Sequence, residues 1–318
     1  MTKFVAFVIT GSASMLAESV HSVADSGNQV LLLVGRSRAR QQETEKHQFG
    51  FGAERYFYAF MVAVVFFIVG ALFSVYQGVE RITHPHQVTS PVVDFVVLGI
   101  AIVLESLSIR TAIIESNRAR GTSGWLSFIR HAKAPELPAV LLEDSAALTG
   151  LVFALLGITL SAMTGNGRWD GAGSLAIGVL LGIVAVILAV EIKSLLIGES
   201  ANKGAEQQIV TAIEAGPEIQ GVIHLRTLHV GPDTLLVAAK IAVRPEDSAA
   251  RIVAVIDAAE RRIRAAVPIA KLIFLEPDLY RPARLDVADP AVRAVRRSSL
   301  LLAAGRSAMR AVRRGRPK

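Results

Sequence analysis

Two apolar runs of 20 residues, neither of which contains a charged side chain, limit what this chain can fold into. They extend over Phe57–Tyr76 and Gly171–Val190. An α-helix rises about 1.5 Å per residue, so each run is long enough to span the ~30 Å hydrocarbon core of a bilayer. Segments inside hydrocarbon must satisfy their own backbone hydrogen bonds, and long uninterrupted apolar runs do so as helices. The sequence therefore predicts an α-helical membrane protein.

Three further apolar segments contain ionisable residues and are also predicted to span the membrane. They are Ala13–Gly35, Phe95–Ile109 and Pro138–Met163. The N-terminal piece Phe4–Thr10 has only seven residues, which is too short to cross a bilayer. It is either a re-entrant stub or the remainder of a helix whose start codon lies upstream, and we favour the second interpretation. A six-helix transmembrane bundle with a truncated first helix is expected.

Composition supports a membrane location and excludes some chemistry. The chain is 52% hydrophobic and 19% charged, and it has no cysteine, which excludes disulfides and thiolate metal ligands. Its net charge of +7 does not indicate a nucleic-acid partner, because residues 281–318 alone hold 11 basic and two acidic residues. We expect this tail to be disordered, or to form a short basic helix at Arg306–Lys318 that contacts anionic lipid.

Basic residues are distributed unevenly between the predicted loops. The loops at 36–55 and 115–137 contain nine Lys and Arg residues, whereas the alternate loops contain one each, Arg81 and Arg168. The positive-inside rule therefore places the two basic loops and the C-terminal third in the cytoplasm. We predict a multi-pass protein of the cell's inner membrane.

After Glu199 the sequence changes to the pattern of a small soluble domain. Segments with helical and strand-like periodicity follow in the order α-β-β-α-β, which predicts a cytoplasmic α+β domain of ferredoxin-like type. These segments are Lys203–Ala215, Val222–Val230, Thr234–Val243, Asp247–Ala266 and Ile269–Leu275. The expected organisation is a transmembrane domain at 1–198, the cytoplasmic domain at 199–280 and the basic tail at 281–318.

A stripe of polar residues follows one face of the second predicted helix. At about 100° per residue, Glu18, His21 and Asp25 lie within about 60° of one another, and Asn28 continues the stripe. Ionisable residues at membrane depth cost about 2.5–3.5 kcal/mol each on insertion scales, so they face a partner, a cavity or an ion path. A His and an Asp four residues apart supply two ligands for one divalent metal. The alternative is a polar cluster that only packs helices together.

A second acidic pair, Glu143 and Asp144, lies early in the fifth predicted helix. Small residues follow Asp144, so its helix can approach closely and bring this carboxylate to His21 and Asp25. Three such ligands with water or a fourth carboxylate suit Zn²⁺, and Mn²⁺, Co²⁺ and Fe²⁺ are also compatible. Glu143 points about 100° away from Asp144. We keep it as a candidate ligand, with a supporting residue or a proton acceptor as the alternatives.

These motifs together resemble the cation diffusion facilitator family of metal/proton antiporters over about residues 1–280. They most resemble its divergent branch, related to the mitochondrial zinc transporters, in which a Glu-Asp pair replaces the usual arrangement. The resemblance is carried by His21-x-x-x-Asp25, His47–Arg55, Leu142–Ser145, Lys193–Ser200 and the C-terminal α+β domain.

The resemblance implies a transport site built from two residues of the second helix and two of the fifth. Carried over to this chain, three of the ligands are His21, Asp25 and Asp144. The fourth position falls on Val140, where the family more commonly has His or Asp, so the site is one ligand short unless Glu143 takes that role. The chain is then a homodimeric, proton-coupled exporter of a divalent transition metal, zinc first, without a resident cofactor or an enzymatic activity. An intramembrane metal-dependent hydrolase and a membrane metal sensor or scaffold are the alternatives.

His224 and His229 are candidate metal ligands of the cytoplasmic domain, but their odd separation on one strand points them to opposite faces.

Glycines in the third and sixth helices indicate tight helix packing, consistent with a homodimer seam. These are Gly70, Gly78, Gly171, Gly173, Gly178 and Gly182.

Overall fold

The computed structural model describes residues 2–85 and 91–279, which divide into two compact units between Ile197 and Gly198. The first unit is helical and the second combines helices with a β-sheet. The predictions for the basic tail at 281–318 fall outside the described residues.

The first unit consists of eight helices within the described residues. They are α1 (Thr2–Thr10), α2 (Ala13–Arg38), α3 (Glu54–Val65), α4 (Phe73–Thr83), α5 (Pro91–Arg120), α6 (Trp125–His131), α7 (Glu136–Thr164) and α8 (Arg168–Ile197). A π-helical segment, Phe66–Leu72, joins α3 to α4, so these two form one continuous helix from Glu54 to Thr83. The basic loop predicted at 115–137 contains the short α6.

Four helices in the described part of the chain are long and apolar enough to cross a membrane. They are Glu54–Thr83, Val92–Arg120, Glu136–Thr164 and Arg168–Ile197. We predicted five clear spans, and the difference is α2, which has 26 residues but carries the polar stripe. With the nine-residue α1, the bundle has the expected six helices and a short first helix, so the predicted fold class is confirmed.

The apolar side chains of the bundle are distributed as in a protein surrounded by lipid. Large side chains in the interior, such as Phe66, Leu151 and Ile177, are fully buried, whereas others on α5, such as Val103 and Leu104, are about 60% exposed. An exterior this apolar is unfavourable in water and favourable in hydrocarbon. The outer faces of the bundle therefore agree with a membrane location.

Glycines bring α4 and α8 into backbone contact within the same chain. A Cβ added at Gly78 would lie 2.6 Å from the backbone nitrogen of Leu175, and one at Gly178 would lie 2.6 Å from that of Val75. The predicted tight packing is therefore present, because only glycine permits this approach. It serves an interface between two helices of one chain, and the homodimer seam stays a prediction.

The second unit has the predicted α-β-β-α-β order. Its elements are α9 (Lys203–Glu214), β1 (Gly221–Gly231), β2 (Thr234–Val243), α10 (Ala249–Ala266) and β3 (Ala270–Leu279). The sheet order is β1-β2-β3, with β1 antiparallel and β3 parallel to β2. Apolar residues of β1 and β2 pack against both helices, and Ile209, Ile213, Val237, Ile241 and Ile263 are fully buried. The predicted small α+β domain is confirmed.

We expect Gly78→Ala to lower the stability of the transmembrane unit, because its methyl group would overlap the backbone of Leu175. Overpacking of this kind costs about 1–3 kcal/mol. Gly99→Ala in α5 is the matched control, since a Cβ there meets nothing within 4 Å. Thermal unfolding of the purified protein in detergent measures both changes. Equal melting temperatures for the two variants would contradict the assigned contact.

Candidate cation site

The start of α2 is fixed by an acidic residue of α8. Ser12, the N-terminal cap of α2, donates its hydroxyl hydrogen to Asp170 Oδ1 at 2.9 Å, and the backbone N–H of Ala13 donates to Asp170 Oδ2 at 2.8 Å. Arg81 Nε lies 3.6 Å from the same carboxylate. A carboxylate at a helix N-terminus satisfies its free N–H groups and complements the helix dipole. Asp170 therefore holds α2 in a defined position, and with it the polar stripe.

The stripe on α2 faces the interior of the bundle as predicted. His21 and Asn28 are almost completely buried, and the side chain of Asp25 is 20% exposed. His21 Nε2 lies 3.4 Å from Asp25 Oδ2, as the four-residue spacing requires. The rings of Phe66 and His21 form a T-shaped contact, with their centroids 5.4 Å apart. Both side chains are thus oriented by the helix and its neighbours.

Helix α7 adds Glu143 to this group. Asn28 Nδ2 donates a hydrogen bond of 2.8 Å to Glu143 Oε1, and the carboxyl groups of Asp25 and Glu143 lie within hydrogen-bonding reach of each other. The structure therefore brings together one imidazole, two carboxyl groups and one amide from two helices.

Asp144 lies on a different side of α7 from Glu143. Its Oδ2 accepts a 2.9 Å hydrogen bond from Ser108 of α5, and its side chain is only partly buried. The sequence predicts both Asp144 and Glu143 as candidate ligands. In the structure α7 turns Glu143 to α2 and Asp144 to α5. The assignment of Asp144 as a metal ligand stays a prediction.

Several buried polar atoms of this group make no hydrogen bond with a described residue. They are both ring nitrogens of His21, Oδ1 of Asp25 and Oδ1 of Asn28. Buried polar atoms are normally paired, so this group, which includes unpaired oxygen acceptors, is suited to a cation or protons. Within residues 2–85 and 91–279, no three His, Asp or Glu side chains form a closed metal-binding cluster. The side chains are gathered, but binding requires them to converge further.

A cavity of about 290 Å³ lies between α2, α5 and α7. Its lining includes Gln29, the neighbour of Asn28, and Val140, one helical turn from Glu143. It extends to Arg36 near the end of α2, which the distribution of basic residues places on the cytoplasmic side. Glu115 adds an acidic group to this lining. Its lining residues on α2 and α7 adjoin the polar group in sequence, but the cavity is not lined by His21, Asp25, Asn28 or Glu143 themselves.

The histidines of the second unit lie apart from one another. His224 is exposed and His229 is buried, so the two lie on opposite faces of β1 as their spacing predicts. Lys240, on β2 beside His224, lies 2.9 Å from Glu276 and 3.7 Å from Asp278. The described residues of this unit contain no cluster of three or more metal-ligating side chains.

Sequence reasoning missed two contacts of the site. Asn28 was part of the stripe, but its hydrogen bond to Glu143 depends on which face α7 presents. Ser108 lies in the fourth predicted helix and offers no signal in the sequence that it pairs with Asp144. The only related feature in the sequence is that Ser108 follows Glu105, an ionisable residue of the same predicted span, by about one helical turn.

The fold and this group define a multi-pass membrane protein with a buried polar site between two of its helices. A family profile of the cation efflux transmembrane domain matches residues 1–197, and a profile of the cation efflux protein cytoplasmic domain matches residues 202–278. The chain belongs to the cation efflux family. This membership confirms the resemblance seen in the motifs, and it agrees with a transporter instead of the alternative intramembrane hydrolase.

Three relatives illustrate the range of similarity. The proton-coupled zinc antiporter SLC30A9, mitochondrial, of Xenopus laevis is 34% identical over 232 residues, covering 72% of this chain and 41% of the relative. Metal tolerance protein C4 of Arabidopsis thaliana is 28% identical over 241 residues, covering 75% and 53%. The cation-efflux pump FieF of Escherichia coli is 25% identical over 249 residues, covering 78% and 77%. The chain thus spans about two fifths of the length of its mitochondrial relatives.

The two adjacent acidic residues of α7 are expected to differ in their effect on Zn²⁺ binding. Glu143→Gln removes a carboxylate that faces His21 and Asp25, so we expect affinity to fall by more than about 100-fold. Asp144→Asn keeps the size of a side chain that contacts Ser108, and we expect a loss of about tenfold or less. Titration of Zn²⁺ into the purified full-length variants measures both. A larger loss for Asp144→Asn would support the predicted ligand role of Asp144 over that of Glu143.

Proposed function

We propose that this chain is a proton-coupled antiporter that exports a divalent transition metal, zinc first, from the cytoplasm. The observation that carries the proposal is the contact of His21 with Asp25 on α2, with Glu143 of α7 hydrogen-bonded to Asn28 on the same stripe, inside an apolar bundle. Asp144 of α7 is retained as a further proposed ligand. An imidazole with two carboxylates suits Zn²⁺, while Mn²⁺, Co²⁺ and Fe²⁺ are alternative cargo. The names of the relatives, a zinc antiporter and a cation-efflux pump, support the same activity.

Coupling to protons follows from the chemistry of the ligands. Zn²⁺ binds neutral imidazole and ionised carboxylate, so the side chains of His21, Asp25 and Glu143 must lose protons before they bind the metal. Metal and protons therefore compete for one site, and binding weakens as the pH falls. A cycle in which the metal leaves outward and protons return through the same site gives antiport.

The arrangement in the membrane follows from the loops and the second unit. The basic loops and the α+β domain lie in the cytoplasm, and the membrane is the inner membrane of the cell. The chain works as a homodimer, an expectation supported by its family membership. The transported metal is cargo, and the mechanism needs no resident cofactor.

Flux in proteoliposomes tests this function directly. We expect the purified protein to move Zn²⁺ across the vesicle membrane and to move it faster when a pH gradient drives protons the opposite way. His21→Ala should abolish the flux, because it removes the nitrogen ligand. Lys46→Met, a change in an exposed loop residue, is the control for loss of one positive charge. A rate of Zn²⁺ flux that is the same with and without the pH gradient would argue against antiport.

The pH dependence of binding is a separate expectation. Because the ligands release protons on binding, Zn²⁺ affinity should rise from pH 5.5 to about 7.5, and proton release per bound ion should be measurable in weakly buffered solution. In His21→Ala the proton release should decrease. Affinity independent of pH in the wild-type protein would contradict a shared site for metal and protons.

A further inference from the structure

A buried ion pair links α1 to α2 near the cation site. Lys3 Nζ lies 3.2 Å from Glu18 Oε2, and Lys3 is only 9% exposed while Glu18 is fully buried. Removing two charges from water carries a large desolvation penalty, so a buried pair contributes little to stability compared with apolar packing. Ionisable residues at membrane depth are instead associated with ion paths. Neither residue is among the cargo ligands proposed above.

Glu18 lies on the same face of α2 as the cargo ligands. It precedes His21 by three residues, about one helical turn or 4.5 Å along the axis, towards the end of α2 that Asp170 caps. Its second oxygen, Oε1, accepts no hydrogen bond from a described residue. That oxygen lies in space left by Gly150 of α7, where a Cβ would come within 3.0 Å of it. One half of this carboxylate is paired with Lys3 and the other half faces α7.

The charge of Lys3 reaches beyond Glu18. Its ammonium interacts electrostatically with His21 and Asp25 of the site and with Glu105 of α5. In a region from which water is excluded, a positive charge raises the free energy of a second cation nearby much more than it does in water. Lys3 therefore opposes the binding of a divalent ion, and Glu18 offsets part of this repulsion.

We propose that Lys3 is a tethered counter-cation, which holds the Glu18 end of the stripe and lowers the affinity of the neighbouring site for its divalent cargo. This inference rests on the proposed transport function and adds a residue that controls release. Without the ammonium, the carboxylate of Glu18 has no fixed positive partner, and no fixed positive charge near His21 opposes a divalent ion. The metal is then bound more tightly and leaves more slowly.

Zn²⁺ binding to the full-length protein in nanodiscs tests the proposal. Lys3→Met removes the charge and keeps a similar length, so we expect the dissociation constant to decrease about tenfold. Lys3→Arg retains the charge and should bind like the wild type. Lys46→Met removes the same charge from an exposed loop and should also leave binding unchanged. Transport provides the second readout, because Lys3→Met should bind Zn²⁺ more tightly yet turn over more slowly.

Glu18 gives an independent test that does not require Lys3→Met to fold. Glu18→Gln leaves the ammonium of Lys3 without its carboxylate partner, so we expect Zn²⁺ binding to weaken by about fivefold or more. The double variant Lys3→Met/Glu18→Gln should return towards the wild-type affinity, because both charges are gone. Such non-additivity is expected only if the two residues act as a pair.

Two results would overturn the proposal. One is a Zn²⁺ affinity of Lys3→Met equal to or weaker than that of Lys46→Met, and the other is an unchanged affinity in Glu18→Gln. Failure of the proposed function looks different, because a wild-type protein without Zn²⁺ flux would refute transport whatever the order of affinities among the variants.

Discussion

Buried charge in an apolar bundle is the constraint on which this structure depends. Each acidic group inside the membrane unit needs a partner, because an unpaired charge in a water-free interior is very unfavourable. Asp170 meets the N-terminus of α2, and Asp94 accepts a hydrogen bond from Thr10. Glu18 meets Lys3 in the same way. Around His21, Asp25 and Asn28 several buried polar atoms of neighbouring side chains have no partner among the described residues, and such a group is suited to a cation or protons.

The pairing of Asp170 also explains how a polar helix keeps its position. α2 is less apolar than its neighbours, so hydrophobic burial alone specifies its rotation weakly. The contacts of Ser12 and Ala13 with one carboxylate of α8 fix its first turn, and the hydrogen bond from Asn28 to Glu143 fixes it again about four turns later. Between these two points the face that carries His21 is turned to the interior.

The sequence predicted the stripe on α2 well because a helical period places residues on one face whatever the surrounding structure. It did not decide between Glu143 and Asp144, since adjacent residues differ by 100° and the choice depends on how α7 packs against α2 and α5. The glycines were interpreted correctly as close contacts, but a pattern on one helix cannot say which helix it meets. The role of Lys3 was missed for a similar reason, because its partner lies on another helix.

The two kinds of helix contact have different consequences for a transport cycle. α4 and α8 approach so closely at Gly78 and Gly178 that their backbones touch, and separating such surfaces loses many packed atoms at once. α2 and α7 meet at the site through the polar contact between Asn28 and Glu143. A cation that takes Glu143 as a ligand competes directly with this hydrogen bond. Under the proposed transport function, arrival and departure of a cation would act on the contact of α2 with α7, while the glycine-packed pair of α4 and α8 would stay fixed.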